Sequence, residues 1–253
     1  MSRIDENGFL EGSICNWIAD HRDRHATVFA AIRELNRECH RFIDGRAVDV
    51  TSKLHTTTAA LFARMMELFQ GLFIAIEHGM TSVGSIVFRT HLEAYFYLMA
   101  IHRDPTFLKQ YLDQLHISRK GLVNRIRKSN SPCLAELREA LDENLAQDIS
   151  KTIKEQEIPT LNVREAARRA DLYEVYATAW DIESHLDYDD TKKAIQGFQC
   201  GPSDSNTVKF LGLAGMAMAD ALETISSIFS EDLSQLCAKF KSQFRAALGK
   251  SSE

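Results

Sequence analysis

Arg89 and Glu93 are the residues best placed to do chemistry in this sequence of 253 residues. They lie near the middle of the segment from Thr81 to His102, which is otherwise almost wholly apolar. Four residues apart on one helical face, a guanidinium and a carboxylate can pair and orient a ligand, a phosphate or a reacting group. Since a helix that is apolar all round belongs in a core, we expect this pair to be buried. A buried pair can also serve only to fix helix packing.

His91 lies between these two residues in the sequence but points in nearly the opposite direction on a helix with 100° per residue. It therefore cannot join Arg89 and Glu93 in one site without help from other segments. We expect a hydrogen-bonded core histidine here.

A second group of polar residues follows the end of a predicted helix. Ser184 and His185 precede Asp187, Asp189 and Asp190, and an exposed histidine there could act as a general base or bind a metal ion. The spacing is not that of a known metal motif, and a solvated acidic turn explains the same residues.

Two pairs near the N-terminus are weaker candidates. Arg33 and His40 are seven residues apart, so two helical turns bring a cation and a proton-transfer group to one side, where they could meet an RNA phosphate. His21 and His25 could share a metal ion, but the glutamate that follows the first histidine of a metalloprotease helix is missing. A solvated helical face explains the first pair better than a functional role does.

Composition limits the class of protein and its partners. Hydrophobic residues make up 45% and charged residues 26%, with only 4 Pro and 12 Gly, which favours a mainly α protein. The net charge of -5 gives no overall attraction to nucleic acid or to anionic lipid, so we expect neither a DNA partner nor a membrane partner. Local basic clusters occur at residues 119–128 and 164–169.

The cysteines and the N-terminus predict a cytoplasmic protein. The five cysteines are widely spread and contain no Cys-x-x-Cys pair, which argues against a disulfide framework and against a thiolate zinc site. The first residues are polar and carry no apolar stretch of a secretory signal. No cofactor or metal signature is complete.

Hydrophobic periodicity predicts one all-α domain over residues 1–253, a single up-and-down-like bundle of about seven helices with its core at about 48–230. Gly79 and Asp104-Pro105 punctuate the pattern as a helix cap and a helix start. Residues 48–78 and 81–102 should form an antiparallel hairpin. Residues 133–157 carry a narrow apolar stripe, typical of a projecting outer helix. One long loop is expected near 186–206.

The segments Gly79-Met80 and Val87 to Ala94, followed by Arg103-Asp104-Pro105, resemble a widespread bacterial family of uncharacterised all-helical proteins. Its signature is Arg-x-x-x-Glu in an apolar helix and a later tyrosine followed by Ser-His, which would here be Tyr173 or Tyr176 with Ser184-His185. The family is similar in outline to HEPN-type helical domains, some of which are RNases or act against phage. This resemblance implies that Arg89, Glu93, Tyr176 and His185 converge, with Arg89 holding a phosphate or carboxylate and His185 moving a proton.

Three functional interpretations follow. The first is a cytoplasmic, RNA-directed protein of phage defence, acting as a metal-independent RNase through Arg89, Glu93, Tyr176 and His185, or through Arg33 and His40. The second is a non-enzymatic interaction or scaffold module, homodimeric, in which the polar pair only fixes packing. A metal enzyme that uses His21, His25 or the acidic loop ranks third.

Overall fold

The computed structural model describes residues 8–9, 14–141, 144–184 and 204–250. Within these ranges the protein is all-helical, with eleven α-helices, one short 3₁₀ helix and no strand. The α-helices are α1 (Cys15–Arg24), α2 (Ala26–Asp44), α3 (Lys53–Glu77), α4 (Thr81–Arg103), α5 (Pro105–Lys128), α6 (Ala135–Ala140), α7 (Leu145–Glu155), α8 (Val163–Arg169), α9 (Tyr173–Ser184), α10 (Asp204–Ile228) and α11 (Ser234–Lys250).

The all-α prediction is confirmed, but the expected number of about seven helices is too low. At three points the chain breaks where hydrophobic periodicity runs on from one helix to the next. His25 leaves helical geometry between α1 and α2, and Leu141 is extended at the end of α6. Asp171 takes a left-handed conformation, with φ of 55°, between α8 and α9. A non-glycine residue with positive φ cannot continue a right-handed helix, and the hydrophobic periodicity does not reveal such breaks.

The antiparallel α3–α4 hairpin forms as predicted. Gly79 has φ of 72°, a left-handed conformation that suits glycine at a helix C-terminus. The amide of Met80 then donates to the carbonyl of Ala75 at 2.7 Å. This hydrogen bond gives a partner to one of the carbonyl groups in the last turn of α3, which have none within the helix. The side chain of His91 reaches the carbonyl of Met65 across the hairpin, so the two helices run in opposite directions.

The core is built around this hairpin, and α8 packs against α4. α10 packs against both α3 and α4, and α2 and α11 pack against α10. The core therefore extends beyond residues 48–230. Its largest fully buried side chains include Phe29 of α2, Phe62 and Phe69 of α3, Phe96 of α4, and Phe240 and Phe244 of α11.

Side-chain caps are present at α5, as the sequence predicted for Asp104, and at α8. The carboxylate of Asp104 accepts from the amide of Thr106 at 3.0 Å, ahead of Pro105 in the first turn. The side chain of Asn162 accepts from the amide of Glu165 at 2.9 Å. Such caps satisfy amides that have no partner inside the helix.

The described residues of 133–157 include the end of the 3₁₀ helix (Pro132–Leu134), α6 and α7, and α7 packs against α5. Of the predicted loop near 186–206, the residues up to 203 lie outside the described part, and 204–206 begin α10. Among the described helices, α3 is long and apolar enough to cross a membrane by length and composition, and 44% of its apolar window is buried inside the protein.

Candidate functional site

Arg89 and Glu93 lie on one face of α4, as the spacing predicted, but this face is open to solvent. Nε of Arg89 is 3.9 Å from Oε1 of Glu93, and their side chains are 42% and 34% exposed. Val83 and Ile86 share the face and are also exposed, at 42% and 67%. The expectation of a buried polar cluster is therefore wrong, because no described helix covers these apolar neighbours. We call Val83, Ile86, Arg89, Thr90 and Glu93 the outer face of α4.

His91 occupies the opposite face and is fully buried, as expected of a core histidine. Its Nδ1 lies 3.2 Å from the carbonyl oxygen of Met65, and its ring stacks on Phe69 with centroids 5.9 Å apart. Burial lowers the pKa of His91 to about 4, although the backbone carbonyls of Met65 and Ala214 oppose this shift. A ring that stays neutral down to such a pH is suited to packing.

Tyr176 lies on α9 and packs against Phe96 of α4, with ring centroids 6.1 Å apart. Phe96 follows Arg89 by two helical turns on the same stripe, about 10 Å along the axis. Tyr176 therefore belongs to the surface where α8 and α9 meet the second half of α4. His185 and the acidic residues Asp187, Asp189 and Asp190 lie outside the described residues, so the convergence of Arg89, Glu93, Tyr176 and His185 stays a prediction.

The alternative pair, Arg33 and His40, takes part in two separate sets of contacts with α3. Nη2 of Arg33 donates to Oε1 of Glu77 at 2.9 Å. Nε2 of His40 lies 2.8 Å from Nε2 of Gln70, which also donates to Oδ1 of Asn36 at 3.0 Å. Both residues thus help to join α2 to α3, and each has an intramolecular partner where a phosphate would bind.

Glu77 is an ionisable residue that the sequence reading missed. Its side chain is only 6% exposed, and Oε1 accepts from Nε of Arg22 at 2.7 Å as well as from Arg33. Glu77 ends α3, where a carboxylate is unfavourable beside the helix C-terminus, so cations from other helices must compensate. This unfavourable placement is the signal that could have identified it.

A second missed cluster joins α4, α10 and α11. The hydroxyl of Tyr95 donates to Oδ2 of Asp220 at 3.0 Å, and Nζ of Lys241 lies 2.5 Å from both Asp220 and Glu223. Burial and the charge of Asp220 raise the pKa of Tyr95. Burial disfavours the charge of Lys241, but its bonds to the two carboxylates outweigh this effect and raise its pKa. The charge of Lys241 is therefore compensated by Asp220 and Glu223 within the cluster.

His21 and His25, proposed as a shared metal site, belong to an aromatic stack. The ring of His21 lies on Trp17 at 4.5 Å and meets His25 edge-on at 4.8 Å. Nε2 of His21 is also 3.5 Å from the hydroxyl of Thr207. In the described part of the chain no group of three or more His, Cys, Asp or Glu side chains could hold a metal ion.

A basic and aromatic surface lies at the junction of α8 and α9. The guanidinium groups of Arg164 and Arg168 lie 5.6 and 5.3 Å from the ring centroid of Tyr173, and Tyr173 stacks on Tyr176 at 6.0 Å. Both arginines are exposed. The third arginine of this cluster, Arg169, pairs with Glu165 and Asp104.

A cleft of about 430 Å³ separates α5 from α7 and does not involve the predicted site residues. It is lined by His116, Arg119, Leu122, Val123, Leu145, Asp148, Ile149 and Thr152. Ile149 is nearly buried, while Leu122 and Leu145 remain partly exposed. The cleft is therefore a shallow groove between two helices that pack against each other.

Within the described residues, these features define an all-α protein with a closely packed apolar core and with open surfaces on α4 and on α8–α9. The chain belongs to the family of unknown function DUF5677, whose model matches residues 55–186. That range begins in α3 and includes Arg89, Glu93, Tyr176 and His185. The predicted membership of a family of uncharacterised proteins agrees with this match. No curated protein and no solved structure matches the chain significantly.

Proposed function

We propose that this protein is a non-enzymatic interaction module that works as a homodimer through the outer face of α4. The observation that carries the proposal is the exposure of Val83 and Ile86, at 42% and 67%, beside the half-exposed pair of Arg89 and Glu93. Single exposed aliphatic residues are ordinary, whereas two on adjacent turns, bordered by polar groups, are typical of a contact surface.

The ion pair fits this role better than a catalytic one. Arg89 and Glu93 neutralise each other within the helix, and a protein interface has a polar rim around an apolar centre. A site that stabilises a reacting charge would instead exclude water around Arg89, and 42% exposure does not provide that.

Sedimentation velocity over a range of concentrations tests the proposal. Wild-type protein should sediment as a dimer, and Ile86→Asp should shift it to monomer because a charge would be buried in the contact. Leu122→Asp, at a site 52% exposed on α5, is the matched control and should remain dimeric. Circular dichroism checks that each variant is folded. A wild type that is monomeric at every concentration refutes the proposal.

RNA binding is the second candidate function, favoured by the surface of Arg164, Arg168 and Tyr173. Exposed arginines can bind phosphates, and an aromatic ring between them can stack on a base. The resemblance to HEPN-type helical domains stated from the sequence also implies an RNA-directed protein of phage defence. Tyr176 stacks on Tyr173 at this surface. If the protein cleaves RNA, His185 would move a proton.

Fluorescence anisotropy with a labelled single-stranded RNA at low salt tests this candidate. Arg164→Ala with Arg168→Ala should weaken binding and reduce its salt dependence. Arg41→Ala, which removes one exposed arginine from α2, should change binding little. Equal affinity of wild type and both variants would show that this surface does not bind RNA. RNA that stays intact after incubation with wild type would refute the nuclease role.

A further inference from the structure

Among the described helices, α7 packs extensively against α5 alone. The buried apolar side chains that meet at this contact are Val123 of α5 and Ile149 of α7, at 6% and 9% exposed. Neither belongs to the contiguous core, to which α5 contributes Phe107. α7 is therefore held by an apolar contact that is separate from the core.

The contact between α5 and α7 is also incompletely packed. The cleft of about 430 Å³ lies between the two helices, and Leu122 and Leu145 on its walls are 52% and 36% exposed. Close packing supplies much of the free energy that holds two helices together. A helix with few buried contacts opens at a lower free energy than the whole protein unfolds.

Hydrogen bonds hold the chain on either side of α7. After α7, the side chain of Gln114 on α5 donates to the carbonyl of Pro159 at 2.7 Å and accepts from the amide of Leu161 at 2.9 Å. Before α7, Nη1 of Arg138 donates to the carbonyl of Ser131 at 3.1 Å. None of these groups belongs to α7 itself, so α7 can leave α5 while both anchors stay in place.

We infer that α7 is a movable cover, which opens from α5 as one unit while the core stays folded. The covered side of α5 carries His116 and Val123, which are two helical turns apart. Opening brings the half-buried imidazole of His116 into water together with Val123 and Ile149. None of these residues lies on the outer face of α4, so the motion does not depend on the proposed function.

A thiol on the covered side of α5 reports the opening of α7. Val123→Cys, in a chain that otherwise keeps only Cys39 and Cys237, should react with excess aromatic disulfide reagent in native buffer. Cys39 and Cys237 are internal controls, because both are fully buried in the core. The new thiol should react at least about tenfold faster than they do, as measured by mass spectrometry of a digest. A new thiol that reacts no faster than the core cysteines overturns the inference.

Hydrogen exchange tests whether α7 opens while the core stays folded. Ile225→Val, in the core helix α10, should speed the amide exchange of α4 by about two- to tenfold. It should leave the exchange of α7 unchanged, because the open form keeps its core. The matched substitution Ile149→Val should speed exchange throughout α7 by a similar factor. Equal acceleration of α4 and α7 by Ile225→Val would show that α7 opens only when the whole protein unfolds, which overturns the inference.

Discussion

Nη2 of Arg33 lies 2.9 Å from Oε1 of Glu77, and the same oxygen accepts from Nε of Arg22 at 2.7 Å. One carboxylate at the end of α3 therefore holds both α1 and α2. The carboxylate is buried, whereas the two arginine side chains are 47% and 48% exposed, so solvent screens part of the attraction.

Glu77→Ala should lower the free energy of unfolding by about 1–3 kcal/mol. The loss should be smaller than for a wholly buried ion pair, because both arginines can regain hydration. Urea denaturation measures it. Glu67→Ala, at an exposed position of the same helix, should change the free energy by less than about 0.5 kcal/mol. Equal effects of the two substitutions would show that Glu77 does not hold α1 and α2.

His91 should make the protein less stable as the pH falls below neutrality. Its pKa is lowered from 6.5 to about 4 in the folded protein, so the unfolded chain takes up a proton first, and protonation favours unfolding between these two values. Going from pH 7.5 to pH 5 should cost about 2 kcal/mol at this site.

The control for this pH effect is His91→Leu, which removes the titrating ring. The contribution of His91 is the difference between wild type and variant in the pH dependence of urea unfolding, because the chain has 9 histidines. If both proteins lose the same stability on acidification, His91 is not protected from protonation.

Tyr95 and Asp220 should be energetically coupled across the contact between α4 and α10. The hydroxyl of the buried tyrosine donates to the carboxylate at 3.0 Å, and a hydrogen bond to a charged group contributes about 1.5–3 kcal/mol. A double-mutant cycle of Tyr95→Phe and Asp220→Asn measures the coupling. Because Asp220 also pairs with Lys241, Asp220→Asn alone changes two interactions, and only the coupling energy reports the hydrogen bond from Tyr95. Additive effects of the two substitutions would show that this hydrogen bond does not contribute to stability.

Gly215→Ala and Gly121→Ala should change stability in opposite directions, although both glycines lie inside helices. A Cβ at Gly215 would sit 2.5–2.7 Å from ring carbons of Phe244, which is fully buried, so the substitution should cost about 1–3 kcal/mol. A Cβ at Gly121 meets no heavy atom within 4 Å and should stabilise the protein by up to about 1 kcal/mol. Thermal unfolding compares them, and two stabilising changes would refute close packing between α10 and α11.

Local features of the chain could be read from the sequence. Gly79 and Asp104 act within a few residues, and the common face of Arg89 and Glu93 follows from helical periodicity alone. The exposure of that face could not be read, because it depends on which other helices cover α4. The partners of Glu77 and Tyr95 lie 44–125 residues away along the chain, and periodicity carries no information about such distant contacts.

The contact of α2 with α10 and α11 determines when this protein can complete its folding. Leu35 and Cys39 are buried residues of α2, and the helices α10 and α11 that pack against α2 are synthesised after it. A fragment restricted to residues 55–186 would lack α2, α10 and α11 together. It would expose Phe88, whose ring packs against Phe210 of α10, so expression of that range alone should yield an aggregating polypeptide.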